Sequence, residues 1–261
     1  MSENPHHAPA AVGPATEVIR AAATVMLVRD ADPGIETFVL RRVPAMAFAA
    51  GMTVFPGGGV DPADGIDIGW HGPDAGWWGA ALGEEPAAAR ALVVAAVREL
   101  FEETGVLLAG PGPHGPVPVL PADLRELVVE RRASLTQVLA GAGLGIRSDL
   151  LRPWANWLTP PGQGRRYDTF FFAAALPAGH QARMLTTEAD LGEWRRPDEL
   201  FAERAAGRTK LMPPTMVMLR DLAGFGSVGQ LLAEPRVVTK VRVRPDDVAR
   251  LVAGDGTVVP Q

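Results

Sequence analysis

The sequence predicts an α/β or α+β sandwich, because apolar runs of strand length are interspersed with segments of helical period. Two apolar runs near the start, 22–28 and 37–41, flank a turn-forming DADPG segment and predict a hairpin. Two later runs, 154–158 and 169–175, predict further strands of the same sheet. Between these pairs, residues 86–104 begin with a proline, contain many alanines and predict a helix.

Weaker signals predict the remaining elements. Residues 53–55 predict a short third strand that ends at a proline and three consecutive glycines. Two helices are expected at 122–132 and 135–142, after a linker rich in proline and glycine. The last helix is predicted at 215–223, where Thr215 can serve as the N-cap because its hydroxyl can accept a backbone N–H.

Residues 61–85 differ in composition from the chain on either side. They are rich in glycine, aspartate and tryptophan, show no clear period, and predict a long surface loop inserted into the domain. Trp70, Trp77 and Trp78 either form a small apolar cap near the functional site or anchor this loop. Residues 188–200 give a mixed signal, and a turn is expected at the basic pair Arg165–Arg166.

Composition divides the chain into three parts. Residues 1–20 are rich in proline and alanine, have little to bury, and predict a disordered leader. A single domain is expected over 21–235, with a second, helical insertion at 111–150. Residues 236–261 are expected to form a C-terminal extension.

Charge and residue content exclude several classes of function. The net charge of −5 argues against a nucleic-acid partner, since such proteins usually carry a basic excess. The absence of cysteine excludes disulfides, thiolate metal sites and a cysteine nucleophile. No apolar run is long enough to span a bilayer, and no secretory signal is recognisable. We therefore expect a cytoplasmic protein without a membrane partner, which could form a homodimer.

The strongest chemical signal is a cluster of carboxylates on the predicted helix. Glu99, Glu102 and Glu103 occupy positions i, i+3 and i+4, so they project within an arc of roughly 100°. Three like charges on one face need a compensating cation, and carboxylate oxygens suit Mg²⁺ or Mn²⁺. The alternative is a solvated acidic helix face, which is the commoner role of such clusters. The glycine run at 57–59 supplies backbone that can approach a metal or phosphate closely.

These residues resemble a known family. The segment RELFEETGV at 98–106 matches the second half of the Nudix box, REUxEExGU with U aliphatic, at every specified position. The FPGG at 55–58 resembles the opening of the same box. Nudix proteins are generally hydrolases of a nucleoside diphosphate linked to another moiety, and they fold as an α/β/α sandwich with a mixed sheet.

The resemblance implies roles for individual residues. Glu99, Glu102 and Glu103 would be the metal ligands, and Gly58 would add its carbonyl oxygen. Arg98 would hold the carboxylate helix in place through a salt bridge. Gly105 would have a structural role, since it is placed to terminate the helix.

The box also departs from the usual pattern. Arg98 lies 40 positions after Gly58, because residues 61–85 interrupt the box, and Arg90 replaces the box glutamate eight positions before the arginine. An interrupted box of this kind resembles the peroxisomal coenzyme A diphosphatase branch of mammals and its bacterial relatives. The segments WLTP, RRYDTFFF and LMPPT, further along the chain, also resemble that branch. Ala47 stands where coenzyme A diphosphatases often carry an arginine.

The expected function is Mg²⁺-dependent hydrolysis of a diphosphate bond in a nucleotide-linked small molecule, with coenzyme A or acyl-coenzyme A as the candidate. The alternatives are an ADP-ribose or NADH-type dinucleotide diphosphatase, and a non-catalytic Nudix-fold nucleotide-binding module. Water would attack one phosphorus while metal ions neutralise the phosphate oxygens.

Two carboxylates are candidates for the general base, Glu99 within the box and Glu188 in a later loop, where catalytic groups often lie. Glu188 could equally be a surface residue. Arg42, Arg165, Arg166 and Tyr167 are the candidates for substrate binding. For these residues, the alternative roles are surface solvation for the arginines and strand packing for the tyrosine.

Overall fold

The computed structural model describes residues 18–46, 49–162 and 165–242. Its strands are β1 (Ile19–Asp30), β2 (Ile35–Arg42), β3 (Thr53–Val54), β4 (Gly57–Gly59), β5 (Trp70–His71), β6 (Ala109–Gly110), β7 (Gly145–Arg147), β8 (Leu151–Leu158), β9 (Arg166–Ala175), β10 (Ala189–Arg195) and β11 (Lys240–Arg242). Its helices are α1 (Ala75–Leu82), α2 (Pro86–Thr104), α3 (Ala122–Val129), α4 (Leu135–Gly141), α5 (Pro197–Ala205), α6 (Pro213–Ala223) and α7 (Val228–Ala233). Short 3₁₀ turns lie at Pro62–Gly65 and Ser148–Leu150.

The main sheet is mixed. Its strand order is β10-β2-β1-β9-β8-β11, and β3 and β4 add to β2 and β1 respectively. The β1–β9 and β8–β11 pairs are parallel, whereas the other pairs of this sheet are antiparallel. The β1–β2 pair is the hairpin that the sequence predicts. A second, small sheet joins β5, β7 and β6.

Helices cover both faces of this sheet. Along β1, Val25 and Leu27 pack into one apolar core with the buried side of α2, whereas Met26 and Val28 pack into another with α6. This alternation follows from the two-residue period of a strand that is buried on both faces. The architecture is therefore the α/β/α sandwich with a mixed sheet that the sequence predicts.

Helix α2 has the bounds that the sequence pattern predicts. Pro86 occupies its first turn, where a missing N–H costs nothing. Gly105 follows its last residue in the left-handed conformation, with φ of 76°, and donates its N–H to the carbonyl of Phe101. Val93, Val97 and Leu100 are fully buried, so this face of the helix is fixed against the sheet.

The expectation that residues 61–85 form a surface loop is wrong. This insertion contains helix α1, which Asp74 caps by accepting the N–H of Trp77, and strand β5, which pairs with β7. Trp78 is fully buried, with its ring centroid 5.8 Å from that of Phe172. An eight-residue helix with apolar residues around most of its circumference has no visible amphipathic period, which explains why the sequence pattern missed it.

Three smaller expectations also need correction. Helix α6 begins at Pro213 with Met212 as its N-cap, so Thr215 lies inside the first turn, where it is buried. Two consecutive prolines fit the first turn of a helix and move its start ahead of the threonine. Arg166 belongs to β9 and not to a turn, because the strand extends back to pair with Ile19 of β1. Residues 188–200 contain β10 and the start of α5.

The predicted terminal segments lie partly outside the described residues. Residues 1–17 of the predicted leader and 243–261 of the predicted extension are not described, and neither is Ala47. Strand β1 begins within the last two residues assigned to the leader. Strand β11 belongs to the extension and adds to the sheet beside β8, where Lys240 forms a 2.6 Å ion pair with Asp168.

Within the described ranges, no helix combines the length and the apolar character that crossing a membrane requires.

Replacing Trp78 with alanine should lower the free energy of unfolding by about 3–5 kcal/mol, because it leaves a large cavity beside Phe172. Trp77 is the matched control, since 48% of it is exposed although its ring contacts that of Trp78. Replacing Trp77 with alanine should lower the free energy of unfolding by about 1 kcal/mol. Chemical denaturation followed by circular dichroism measures both changes, and equal losses would contradict the assignment of Trp78 as the anchor.

Candidate functional site

A cleft of about 1250 Å³ lies where the glycine strand β4 meets helix α2 and the starts of β1 and α6. The lining includes all three carboxylates of the predicted cluster, Glu99, Glu102 and Glu103. Loops that precede β3 and β10 complete the wall. The cleft therefore contains the residues that the sequence assigns to chemistry.

The parallel pair β1–β9 lines one side of the cleft. In its register Arg20 lies opposite Tyr167, Ala22 opposite Thr169, and Thr24 opposite Phe171, and all six residues contribute to the lining. Residues two apart on a strand share a face, so the side chains follow one another along the cleft. This wall has a cation and a tyrosine at its Arg20 end and the apolar ring of Phe171 further along, and Met46, Met52 and Met212 are other apolar residues of the lining.

The glycines of β4 allow the carboxylates of α2 to reach the cleft. The Gly57 N–H donates a 2.8 Å hydrogen bond to Oε2 of Glu103. A Cβ at Gly58 would lie 2.5 Å from Oε1 of Glu99, so a side chain there would displace that carboxylate. The close approach of strand and helix thus requires glycine at this position.

Arg98 connects the carboxylates to the insertion. Its Nη1 donates to Glu99 at 2.8 Å and to Glu102 at 3.2 Å, and its Nη2 donates to the Gly59 carbonyl at 2.8 Å. Its Nε and Nη2 bind the two carboxylate oxygens of Asp64 at 2.8 and 3.0 Å. The guanidinium side chain is 11% exposed, so a single buried cation links three carboxylates.

The carboxylates hold their protons unusually tightly. Burial raises the pKa of Glu99 to about 7, against the opposing effect of Arg98, and the charge of Glu102 adds to the rise. Burial and the charge of Glu99 raise the pKa of Glu103 to about 8, although the hydrogen bond from Gly57 opposes this. Burial also raises the pKa of Glu102. The cluster has more buried negative charge than Arg98 can compensate.

This donor set fits a divalent cation in its chemistry. Carboxylate oxygens and a glycine carbonyl are the hard ligands that such ions prefer, and an ion would offset the burial and the repulsion that raise the pKa values of the carboxylates. Across the described ranges, however, no three histidine, cysteine, aspartate or glutamate side chains are arranged to hold an ion as they stand. Arg98 Nη1 donates to both Glu99 and Glu102, so these carboxylates would have to rotate away from it to bind an ion.

The structure brings Glu188 to the same cleft. Its carboxylate accepts a 3.2 Å hydrogen bond from Nη2 of Arg42, which also lines the cleft, and its charge contributes to the raised pKa of Glu103. The side chain of Glu188 is 54% exposed, so solvent reaches it. Glu99 is much more enclosed, with 13% of its side chain exposed.

The predicted substrate-binding residues divide into two groups. Arg42, Arg165 and Tyr167 line the cleft, whereas Arg166 is not part of the lining among the described residues. Nε of Arg166 donates instead to the Thr159 carbonyl at 2.9 Å, which joins β9 to the end of β8. Because neighbouring residues of a strand point to opposite faces, Arg166 and Tyr167 could not both face the cleft.

Several residues of this region were not singled out from the sequence. Arg20 falls in the predicted leader, and Asp64 falls in a segment predicted to be a loop. Arg125 donates from Nε to the Glu102 carbonyl at 2.9 Å and also bonds the Leu185 carbonyl, so it joins α3 to the end of α2. For Asp64 a signal was present, since DPAD places an aspartate three residues after a possible N-cap.

The tryptophans of the insertion do not line the cleft. In the described chain, Trp70, Trp77 and Trp78 are absent from its lining, whereas Asp61 and Pro62 at the start of the insertion belong to it. Trp78 packs in the core, and the indole Nε1 of Trp70 donates to the Pro73 carbonyl. Of the two roles considered for these tryptophans, the structure supports the anchoring one.

Comparison with known proteins identifies similar sequences. A family model described as the NUDT19 Nudix domain matches residues 80–222, which is more than half of the chain. The acyl-coenzyme A diphosphatases NUDT19 of Gallus gallus and Homo sapiens are 31% and 29% identical to the chain over 244 and 236 residues. These alignments cover 75% and 76% of this chain but 63% of each relative. The chain therefore spans less than two thirds of the length of these relatives.

A nematode relative and a solved structure extend the comparison. The putative nudix hydrolase 7 of Caenorhabditis elegans is 30% identical over 81% of this chain and 63% of its own length. The crystal structure of a NUDIX hydrolase from Alicyclobacillus acidocaldarius superposes with a TM-score of 0.74 at 28% sequence identity. That alignment covers 85% of this chain and 99% of the other. The predicted fold is confirmed by this match.

The raised pKa values predict how stability depends on pH in the presence of a chelator. The folded-state pKa values of Glu99 and Glu103, about 7 and about 8, lie above the ordinary value of 4.5. The folded state therefore binds these protons more tightly than the unfolded state, and the stability contributed by the protonated groups is lost as pH rises through this interval. Thermal unfolding in chelator, measured from about pH 5 to about pH 9, should show this loss relative to Glu103→Gln, which has no proton to lose at that position.

The control is a saturating divalent cation, which should abolish the difference in slope between the wild type and the variant, because the ion replaces the protons. If the wild type does not lose stability relative to Glu103→Gln as pH rises, the carboxylate is not held in a buried, repulsive setting.

Proposed function

We propose that this chain, which belongs to the NUDT19 Nudix domain family of the Nudix hydrolases, hydrolyses the diphosphate bond of coenzyme A or acyl-coenzyme A. Two of the named relatives are acyl-coenzyme A diphosphatases, and the chain retains the three carboxylates of the REUxEE segment of the box, although Arg90 replaces the earlier box glutamate. The single observation that carries the proposal is the placement of Glu99, Glu102 and Glu103 together in one long cleft. A non-catalytic binding module would have no need for three buried, mutually repelling carboxylates.

The proposed cofactor is Mg²⁺ or Mn²⁺. Glu99, Glu102 and Glu103 would hold it, and the Gly58 carbonyl is the candidate for a further ligand. When bound, the ion supplies charge neutralisation on the phosphate oxygens and a lower pKa for the attacking water. The protein supplies a fixed helix face on one side and the glycine strand on the other, so the ligands need only side-chain rotations to converge.

Glu188 is the better of the two candidates for the general base. A base must reach a water molecule and accept its proton, and the exposed carboxylate of Glu188 lies at the cleft wall beside Arg42. Glu99 is enclosed and held by Arg98, which suits a ligand more than a proton acceptor. The hydrogen bond from Arg42 would hold the Glu188 carboxylate in place at the cleft wall.

The shape of the cleft supports a coenzyme A substrate. Coenzyme A joins a 3′-phosphorylated adenosine through a diphosphate to a long, weakly polar pantetheine arm. Arg20, Arg165 and Tyr167 provide cations and an aromatic ring for the nucleotide, and the apolar part of the lining near Phe171 suits the arm or an acyl chain. Arg20 lies three residues from Ala23, which pairs with Gly58, so the cationic end is about 10 Å along the strand from the carboxylates.

The proposed substrate is a small nucleotide-linked molecule, and the net charge of −5 argues against a nucleic-acid partner. A homodimer and a cytoplasmic location remain predictions from the sequence.

The test is a substrate panel with product identification. Purified full-length protein is given coenzyme A, an acyl-coenzyme A, NADH and ADP-ribose, with Mg²⁺, with Mn²⁺ or with excess chelator. We expect 3′,5′-ADP and phosphopantetheine or its acyl form as products, higher kcat/KM for these substrates than for NADH or ADP-ribose, and no turnover in chelator.

Glu103→Gln should lower this turnover by about a hundredfold or more, since metal charge stabilisation is worth several kcal/mol. Glu36→Gln is the matched control, because Glu36 pairs with Arg29 in the β1–β2 hairpin and does not line the cleft. Preferred cleavage of ADP-ribose or NADH would overturn the substrate assignment, and full turnover in chelator would overturn the metal assignment.

Arg20→Ala should reduce discrimination between coenzyme A and its analogue without the 3′-phosphate. Loss of one charge-assisted contact should lower kcat/KM for coenzyme A about tenfold and leave that for the dephosphorylated analogue nearly unchanged. Arg29→Ala, on the same strand but outside the cleft, is the control and should affect neither substrate. An equal decrease for both substrates would show that Arg20 does not contact the 3′-phosphate.

A further inference from the structure

We propose that Asp64, within the insertion at 61–85, is a positioning residue for the metal site, because it anchors Arg98 and thereby orients Glu99 and Glu102. The inference rests on the proposed function in one respect, namely that these two glutamates are metal ligands. The start of the insertion would thus contribute to the metal site. Neither the residues of the family box nor the tryptophans of the insertion suggest such a role.

Asp64 is among the most buried charged residues of the described chain, with 2% exposed. Each of its carboxylate oxygens accepts a hydrogen bond from Arg98, and Oδ2 also accepts the Asp61 N–H at 2.8 Å. The paired contact fixes both the position and the plane of the guanidinium. Asp64 therefore determines where the remaining nitrogen, Nη1, points.

Arg98 needs a carboxylate from outside its own helix. Residues 86–97 of α2 contain no acidic residue, and Arg90, two turns before Arg98, is itself a cation that pairs with Asp67. Without Asp64, the carboxylates that hydrogen-bond the guanidinium within the described ranges would be Glu99 and Glu102. The guanidinium would then compete directly with a metal ion for those carboxylates.

The insertion holds Asp64 rigidly. Asp61 caps the 3₁₀ turn Pro62–Gly65 by accepting the Ala63 N–H at 2.9 Å, and Asp64 reciprocates by accepting the N–H of Asp61. Oδ2 of Asp61 also accepts a 3.0 Å hydrogen bond from Arg131, at the end of α3. The start of the turn is thus fixed by three hydrogen bonds of Asp61, one of which directs the Asp64 carboxylate that holds Arg98.

The contacts with Asp64 and with Gly59 would hold the Arg98 guanidinium in position when a metal ion is bound. The bonds to Asp64 and to the Gly59 carbonyl use Nε and Nη2, and only Nη1 contacts the proposed ligands. Glu99 and Glu102 can therefore turn from Nη1 toward an ion while the arginine stays bound to Asp64. The carboxylate of Asp64 acts through Arg98 and does not itself touch the metal.

The experiment measures Mn²⁺ affinity directly, by titration calorimetry or by the loss of the free-ion electron paramagnetic resonance signal, without substrate. Asp64→Asn should weaken Mn²⁺ binding about 10- to 100-fold, as is usual when a partner of a metal ligand is lost. Asp67→Asn is the matched control in the same insertion, since Asp67 has 95% of its side chain exposed and pairs with Arg90. It should bind Mn²⁺ as the wild type does.

A second variant covers the case in which Asp64→Asn does not fold. Arg98→Lys keeps the positive charge but cannot bind Asp64 through two nitrogens and still reach both glutamates, so it should weaken Mn²⁺ binding to a similar extent. If Asp64 acts through Arg98, Asp64→Asn should add little to Arg98→Lys.

The outcomes separate the inference from the proposed function. Unchanged Mn²⁺ affinity in a folded Asp64→Asn protein, or in Arg98→Lys, overturns the inference and leaves the metal site standing. Fully additive losses in the double variant also overturn it. Failure of the wild type to bind Mn²⁺ overturns the metal site, and the inference falls with it.

Discussion

The site depends on the ion pair between Arg98 and Asp64. Asp64 holds the enclosed guanidinium of Arg98 at two nitrogens, and the third nitrogen is a common partner of Glu99 and Glu102. The glycines of β4 then allow the strand to approach the same helix face, and Glu103 is tied to the Gly57 N–H. Because burial makes each of these charges costly, removing the partner of one of them leaves a buried charge without compensation.

Much of this architecture follows from local patterns. The bounds of α2, the β1–β2 hairpin and the presence of three carboxylates on one helix face can all be read from residue spacing, because periodicity and end signals are strong there. The spacing cannot show that these carboxylates are buried, or that Glu188 lies beside them. Those facts depend on how distant segments pack, and a glutamate in a loop has the same local signature at a surface or in a cleft.

The residues whose positions the sequence patterns did not predict have a physical feature in common. Trp78 and Asp64 lie in a segment whose short elements gain their stability from tertiary contacts, namely with Phe172 and with Arg98, and so they have no long periodic pattern. Arg20 falls in the predicted leader because residues 1–20 are rich in proline and alanine, and its strand is completed by parallel pairing with a partner far along the chain, which composition does not show. Thr215 was a reasonable N-cap in isolation, but the two prolines before it already form the first turn.

The parallel register of β1 with β9 also has a consequence for biosynthesis. Ile19 pairs with Arg166, so one side of the cleft joins segments separated by most of the described chain. Non-local pairing of this kind is slow to form, since the intervening chain must first be brought together. On the ribosome, the hairpin β1–β2 emerges long before β9 and presents an open edge that can pair with other chains. That edge of β1 therefore stays unpaired until β9 has been made.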